Sequence, residues 1–305
     1  HPCVISYSIG NEVIERKDIR VIHTAQTFKD VVTSLDPTRP VTEALCSWDS
    51  DWEIFDPHAA VLDIVGYNYM MHKAESDHLR CPERVMWQTE SYPRDAFANW
   101  KHTSERPYII GDMVWTGLDY LGESAIGQFH YEGEQRGEHY QAKHFPYHGA
   151  YCGDVDITGW RKPISHYRDM LWNAKDGSPD IYLAVKEPDN YRNGHVTETM
   201  WSVWPTWESW NWSGWENKTI EAEIYTKAPK VRLYLNDSLV AEKNVSMATQ
   251  YKAVIPLQYQ PGTLKAVSLD ADGNEVKESI LRTSGIPAAI RLTPDRKQIH
   301  ANGQD

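Results

Sequence analysis

The run Val4-Ile5-Ser6-Tyr7-Ser8-Ile9-Gly10-Asn11-Glu12 decides how the fold of this chain is read. Residues 4–9 are apolar or β-branched for the most part and carry no charge, so they read as a buried strand. The strand runs into Gly-Asn-Glu, which leaves a carboxylate at its C-terminal end. Residues 14–35 then carry Ile14, Ile22, Ala25, Phe28, Val32 and Leu35 at helical spacing. Asp36-Pro37-Thr38-Arg39-Pro40 stops that helix, because proline cannot continue it. Further strands are expected at Val41-Thr42-Glu43-Ala44-Leu45, Leu62-Asp63-Ile64-Val65-Gly66-Tyr67, Val85-Met86-Trp87-Gln88-Thr89 and Tyr108-Ile109-Ile110-Gly111-Asp112-Met113-Val114-Trp115. A closing helix is expected over 164–172. Strands separated by helical crossovers imply a parallel sheet.

After Asn173-Ala174-Lys175-Asp176-Gly177-Ser178-Pro179 the period changes. Only short strand-like runs follow, such as Ile220-Glu221-Ala222-Glu223-Ile224-Tyr225, Val231-Arg232-Leu233-Tyr234-Leu235 and Leu264-Lys265-Ala266-Val267-Ser268-Leu269. Asn236-Asp237 and Asp272-Gly273-Asn274 supply turns between them. This pattern predicts an immunoglobulin-like β-sandwich over 176–283. The tail, 284–305, carries one more strand-like run, Ala289-Ile290-Arg291-Leu292, and reads as the start of a further β-module. Folded domains rarely begin with core sequence, so residue 1 is not expected to be the natural start.

The 305 residues are 41% hydrophobic and 24% charged, which excludes disorder, collagen and coiled coil. The net charge of −12, with no basic run, is unsuited to nucleic acid, whose phosphates need clustered Lys and Arg, and to anionic membrane surfaces. No apolar stretch is long enough to form a transmembrane helix. Cys3, Cys46, Cys81 and Cys152 form no CxxC, so no zinc ribbon is expected, and they set no compartment.

Glu12 stands at the end of the opening strand, and Glu90, in Trp87-Gln88-Thr89-Glu90-Ser91, at the end of another. Two carboxylates at parallel-strand ends, facing one pocket, are what glycoside hydrolysis needs: one to protonate the leaving oxygen, the other to attack the anomeric carbon or activate water. Solvated strand-end acids give the same pattern, and spacing alone leaves both readings open. Trp201, Trp204, Trp207, Trp210, Trp212 and Trp215 read first as packing at a sandwich end or a domain interface, and second as a sugar-stacking platform. His130, His139, His144 and His148 lack metal-ligand spacing and read as a polar loop, so no metal site is expected. Asp119 and Glu123 stay open between subsite residues and solvated acids, while Arg94 and Lys101 read as surface charges.

His1-Pro2-Cys3-Val4-Ile5-Ser6-Tyr7-Ser8-Ile9-Gly10-Asn11-Glu12 resembles the acid/base signature of glycoside hydrolase family 2, with Cys3 and Tyr7 as departures outside the catalytic positions. Tyr67-Asn68-Tyr69 is similar to the family's sixth-strand region. Met113-Val114-Trp115-Thr116-Gly117-Leu118-Asp119-Tyr120-Leu121-Gly122-Glu123 is similar to its eighth-strand segment, and Glu90 falls on its nucleophile. Within the family the bacterial β-galactosidase type with appended β-domains looks nearest.

The resemblance covers about residues 1–175. It implies an α/β plus all-β chain: strands four to eight of a (β/α)8 TIM barrel over 1–175, followed by the sandwich. It also implies retaining cleavage of terminal β-galactosides, with Glu12 as acid/base and Glu90 as nucleophile. Asn11, Tyr67, Asn68, Tyr69 and Trp115 would contact the sugar. Glu90 is expected to stay ionised while Glu12 starts protonated. No organic cofactor is implied, the partner is an oligo- or polysaccharide, and a periplasmic or secreted setting follows from the resemblance alone. β-Glucuronidases of the family carry an Asn-x-Lys pair after the eighth strand; its absence between Trp115 and Trp172 favours a neutral sugar, with Lys143, in a different loop, as the residue that would play a similar part. β-Glucuronidase, β-mannosidase and a non-catalytic carbohydrate-binding fragment remain the alternatives. A partial barrel with an unpaired edge is expected to be inactive by itself.

Overall fold

The computed structural model describes residues 1–15, 17–47, 51–134, 149–192 and 194–303. The first part builds a five-stranded parallel sheet from β1 (Tyr7–Asn11), β2 (Val41–Leu45), β3 (Ile64–Asn68), β4 (Met86–Ser91) and β5 (Ile109–Val114), and the strands lie side by side in chain order. Helix α1 (Arg20–Leu35) links β1 to β2, the short α2 (Asp56–Ala59) precedes β3, α3 (Ala74–Arg80) links β3 to β4, and α4 (Ala96–Ser104) links β4 to β5. Right-handed crossovers that always step in one direction put every helix on the same face of the sheet. That face buries Leu45, Trp52, Phe55, Leu62, Val65, Tyr67, Met71, Met86 and Ile109 in one cluster. The carboxyl ends of the strands are left to carry the polar side chains.

Three expectations shift. The opening strand begins at Tyr7 rather than Val4, because only from Tyr7 does the backbone find a partner, Val41 of β2; Val4 and Ile5 are exposed, not buried. α1 begins at Arg20, and Ile14, expected on its apolar stripe, is 78% exposed in the preceding turns. In the tail, Ala289-Ile290-Arg291-Leu292 forms no strand: no neighbour offers it hydrogen bonds, and Ile290 and Leu292 are almost fully exposed. The strand Val41–Leu45 and the closing helix, α5 (Pro163–Asn173), stand where the sequence put them.

Two further strands, β6 (His130–Tyr131) and β8 (Val196–Thr197), make a small antiparallel pair. Beyond α5 two four-stranded sheets face each other. One has the order β13 (Lys252–Gln258), β10 (Thr219–Thr226), β7 (Ile181–Lys186), β9 (Thr206–Trp207). The other has the order β12 (Ser238–Asn244), β11 (Lys230–Leu235), β14 (Thr263–Leu269), β15 (Glu275–Arg282). β13 shows the period-two logic plainly: Ala253, Ile255 and Leu257 are buried, while Val254 and Pro256 point outward. The two-residue turn between β11 and β12 uses Asn236 and Asp237, both at positive φ, the backbone that a tight hairpin requires.

The sheets do not form a separate core. Ala96 and Trp100 of α4 and Ile164, Tyr167, Met170 and Leu171 of α5 belong to the same buried cluster as Leu183, Ile224, Leu233 and Leu264 of the sandwich. Lys227, just after β10, donates to the carbonyls of Leu171 and Ala174 at 2.9 and 2.8 Å, and so satisfies the open C-terminal end of α5. No helix among the described residues is long and apolar enough to cross a membrane.

Candidate active site

Parallel pairing in register brings the carboxyl ends of β1, β3, β4 and β5 to one edge of the sheet. Backbone bonds carry that register past the strand ends: Glu12 N–H to Ala44 O at 2.9 Å, Tyr69 N–H to Glu90 O at 2.9 Å and Trp115 N–H to Ser91 O at 3.0 Å. Glu12 (φ 49°) and Tyr69 (φ 58°) both adopt left-handed backbone, which costs a non-glycine residue energy and recurs where side chains are aimed for function.

Asn68 sits at the centre of the site and is fully buried. Its Nδ2 donates to Asn11 Oδ1 and to Glu12 Oε1, each at 3.0 Å. Its Oδ1 accepts from Thr89 Oγ1 at 2.6 Å, which fixes the amide's orientation. The Tyr69 hydroxyl and the dipole of the same amide both favour the charged form of the neighbouring Glu90 carboxylate. Asn11, Glu12, Asn68, Tyr69 and Glu90 are thereby one connected network. Burial pushes the Glu90 carboxyl up to about 7; the charges of Glu12 and Glu123 push the same way, and the Tyr69 hydroxyl and the Asn68 amide oppose them. Sequence reasoning expected Glu90 to stay the ionised member of the pair. In the structure desolvation, absent from any motif, works against that charge. Burial and the Glu90 charge also hold the Tyr69 phenol well above its ordinary value, so Tyr69 stays a donor.

Tyr67, expected beside the sugar, is not part of this network. Its hydroxyl donates to Asp77 Oδ2 at 2.7 Å on the helix-covered face, where Trp52 Nε1 (2.8 Å) and Arg84 Nη1 (3.0 Å) also reach that carboxylate. Side chains alternate across a strand, so Tyr67 and Asn68 must face opposite ways, and Asn68 holds the inner side. Trp115 packs with Tyr69, Tyr92, Tyr120 and Trp201 around a small cluster that contains Ile126, Ala150 and Cys152. Its ring meets Tyr120 edge-on at 6.0 Å, and the Tyr120 hydroxyl donates to Glu123.

Of the two acids left open, Asp119 is buried against Lys162 (2.8 Å) and accepts from Gly153 N–H (2.7 Å), so it is structural. Glu123 reaches the field of Glu90. Of the six tryptophans, Trp210 and Trp212 fill the sandwich core, as packing predicts. Trp201 does more: its indole Nε1 donates to the Tyr69 hydroxyl at 2.8 Å, across 132 residues of chain. No motif announced that contact; only its place in a tryptophan-dense segment hinted at it. Arg94, read as a surface charge, donates to Thr199 O at 3.2 Å beside this segment. His130 is buried in β6, and His139, Lys143, His144 and His148 lie outside the described residues. Among the described residues no group of three or more His, Cys, Asp or Glu could hold a metal ion.

Two strand-end carboxylates thus share one network of amide and phenol groups, and the relatives of the chain carry glycosidase names. Residues 217–277 match the family described as Domain of unknown function (DUF4982). The whole chain is 25% identical, over 381 aligned residues, to Beta-galactosidase BoGH2A of Bacteroides ovatus, of which it covers 39%. A solved glycosyl hydrolase family 2 member from Bacteroides cellulosilyticus aligns over 99% of this chain and 38% of its own, with TM-score 0.86 and 32% identity. A β-glucuronidase from Bacteroides uniformis, at 18% identity, shares the fold with TM-score 0.58 over 94% of this chain and 35% of its own. Homologues and structural neighbours are thus members of glycoside hydrolase family 2, and the chain spans about two fifths of the length of those it matches.

Proposed function

We propose that this chain carries the catalytic carboxylates of a retaining β-glycosidase, with a terminal β-galactoside as the preferred substrate. On this reading the five parallel strands are strands four to eight of a (β/α)8 barrel over 1–175, and residues 176–283 are an immunoglobulin-like sandwich. The observation that carries the proposal is the convergence of Glu12, held by Asn68, and Glu90, stabilised by Tyr69, at the carboxyl ends of strands in one parallel sheet. Glu12 protonates the glycosidic oxygen while the Glu90 carboxylate attacks the anomeric carbon, which releases the alcohol and leaves a glycosyl ester on Glu90. Glu12, now a carboxylate, takes a proton from water as that water attacks the same carbon and frees Glu90. Retention requires the two carboxyl groups to stand about 5–5.5 Å apart.

Attack requires ionised Glu90, and two elements favour it: the hydroxyl of Tyr69 and the amide dipole of Asn68. Trp115 and Tyr69 present ring surface to the apolar C–H face of a sugar. The choice of galactoside over glucuronide rests on the named function of the Bacteroides ovatus relative. A 2-deoxy-2-fluoro-galactoside with a good leaving group, incubated with the full-length protein, is expected to trap a covalent adduct on the peptide containing Glu90. A label on another residue, or none while the protein still turns over the parent galactoside, overturns the assignment. Trapping by the glucuronide analogue alone keeps the mechanism and replaces the sugar.

A further inference from the structure

We propose that Trp201, which follows the α/β part and lies outside every strand that carries a catalytic group, is a positioning residue for the nucleophile: its indole N–H fills the acceptor side of the Tyr69 hydroxyl and commits that hydroxyl's single hydrogen to Glu90. This rests on the reading of Glu90 as nucleophile. A tyrosine hydroxyl has one hydrogen to give, and an indole N–H can only donate. Glu90 and Glu12 both act electrostatically on Tyr69, and of the two only Glu90 takes its hydrogen bond. With Trp201 Nε1 at 2.8 Å from the phenol oxygen, the rotamers that would turn the hydrogen toward the indole are closed.

The indole itself is held firmly. Trp201 is 6% exposed, meets Tyr69 edge-on (centroids 5.8 Å, planes 87° apart) and packs on Tyr92 at 5.4 Å, while Tyr92 in turn lies 4.6 Å from Tyr69. Its loop is tied on the N-terminal side, where the Thr199 N–H donates to Ser202 Oγ (2.7 Å), Thr199 Oγ1 donates to Gln128 O (3.1 Å) and Arg94 donates to Thr199 O. Removing the N–H while keeping a ring therefore changes the hydrogen bonding of Tyr69 more than its packing. The expected consequence is a less well stabilised Glu90 carboxylate, visible as a shift in the acid limb of the pH–rate profile.

The test uses the full-length protein and three variants: Trp201→Phe, Tyr69→Phe and the double variant. Trp201→Phe is expected to lower kcat about five- to tenfold, to leave KM within about twofold, and to move the acid limb of kcat/KM upward by about half a unit. Tyr69→Phe is expected to move the limb further in the same direction. The double variant is expected to match Tyr69→Phe, because without the hydroxyl the indole has nothing to orient. A Trp201→Phe limb that stays in place, or a shift that recurs unchanged in the Tyr69→Phe background, overturns the proposal. Should Trp201→Phe fail to fold, the benzothiophene isostere of tryptophan at position 201, which keeps the bicycle and deletes only the N–H, gives the same readout. Fluorosugar labelling of Glu90 in the parent protein separates failure of this proposal from failure of the nucleophile assignment.

Discussion

Tyr67 and Tyr69 are two positions apart at the end of β3, yet their hydroxyls act on opposite sides of the sheet: Tyr67 on Asp77 under the helices, Tyr69 on Glu90 at the strand ends. In continuous strand both would face the same way. The positive φ at Tyr69 breaks that parity and turns its ring over the end of the sheet. The two phenols therefore predict different kinetic phenotypes. Tyr67→Phe removes one of several donors to the buried Asp77 and is expected to destabilise the protein by about 1–2 kcal/mol while leaving kcat and KM unchanged. Tyr69→Phe orphans the buried Trp201 indole N–H and is expected to cost about 1–2 kcal/mol as well, but it is also expected to lower kcat at least tenfold. Thermal melts and steady-state kinetics on both variants decide it.

The acid/base role proposed for Glu12 predicts dependence on the leaving group. Glu12→Ala is expected to slow hydrolysis of an alkyl galactoside by about 10²–10⁴-fold, and to spare the first step with a dinitrophenolate, which departs without a proton. Equal losses on both substrates would remove Glu12 from that role.

The pH behaviour follows from burial of Glu90. Its carboxyl, ordinarily near 4.5, is held at about 7 in the fold. Between those two values the folded chain keeps a proton that the unfolded chain releases, so stability falls as pH rises through this window, and the deficit is complete above it. Glu90→Gln removes the buried charge. It is expected to stabilise the protein at pH 8 by the order of 1–2 kcal/mol, after allowance for solvent at the site, and to have little effect below pH 4.5. Melting curves at pH 4 and pH 8 test this. Activity should run the other way and decline as pH falls through about 7, since the proposed nucleophile must be ionised.

Gly153 predicts a purely structural lesion behind Trp115. A Cβ there would stand 2.3 Å from Asp119 N and 2.6 Å from Leu118 C, both backbone atoms that cannot move aside. Gly153→Ala is expected to cost about 2–4 kcal/mol, read from denaturant unfolding. An unchanged midpoint would mean that the 116–119 and 152–155 segments are less tightly paired than the bonds Thr116 N–H to Cys152 O and Asp154 N–H to Thr116 O imply.

What could be read from the sequence was what depends on neighbours in the chain. Val41–Leu45 and α5 were legible because hydrophobic period and proline stops are local. Glu12 and Glu90 were legible as strand-end acids, and the family motifs marked which ones. Tyr67 was misread because a motif carries residue identities but not the side of the sheet. Trp201 was missed because its partner is 132 residues away, and Glu123 stayed open because a long-range field leaves no trace in spacing. The strand expected at Ala289-Ile290-Arg291-Leu292 had the composition of a strand without a partner to pair with.

Lys227 fastens the sandwich to the end of α5, and this bears on how such chains can be recombined. The ammonium is itself buried over the Trp100 ring, 4.8 Å from its centroid, so the lysine, the helix end and the aromatic ring form one lock. A chimera that splices this α/β segment to a foreign β-module between residues 174 and 180 inherits a helix end with two carbonyls facing inward. Unless the incoming module brings a long cation to the place of Lys227, each orphaned carbonyl costs about 1–3 kcal/mol. The seam between the two architectures is a poor crossover point, and shuffling in this lineage is expected to move both halves together or to cut elsewhere.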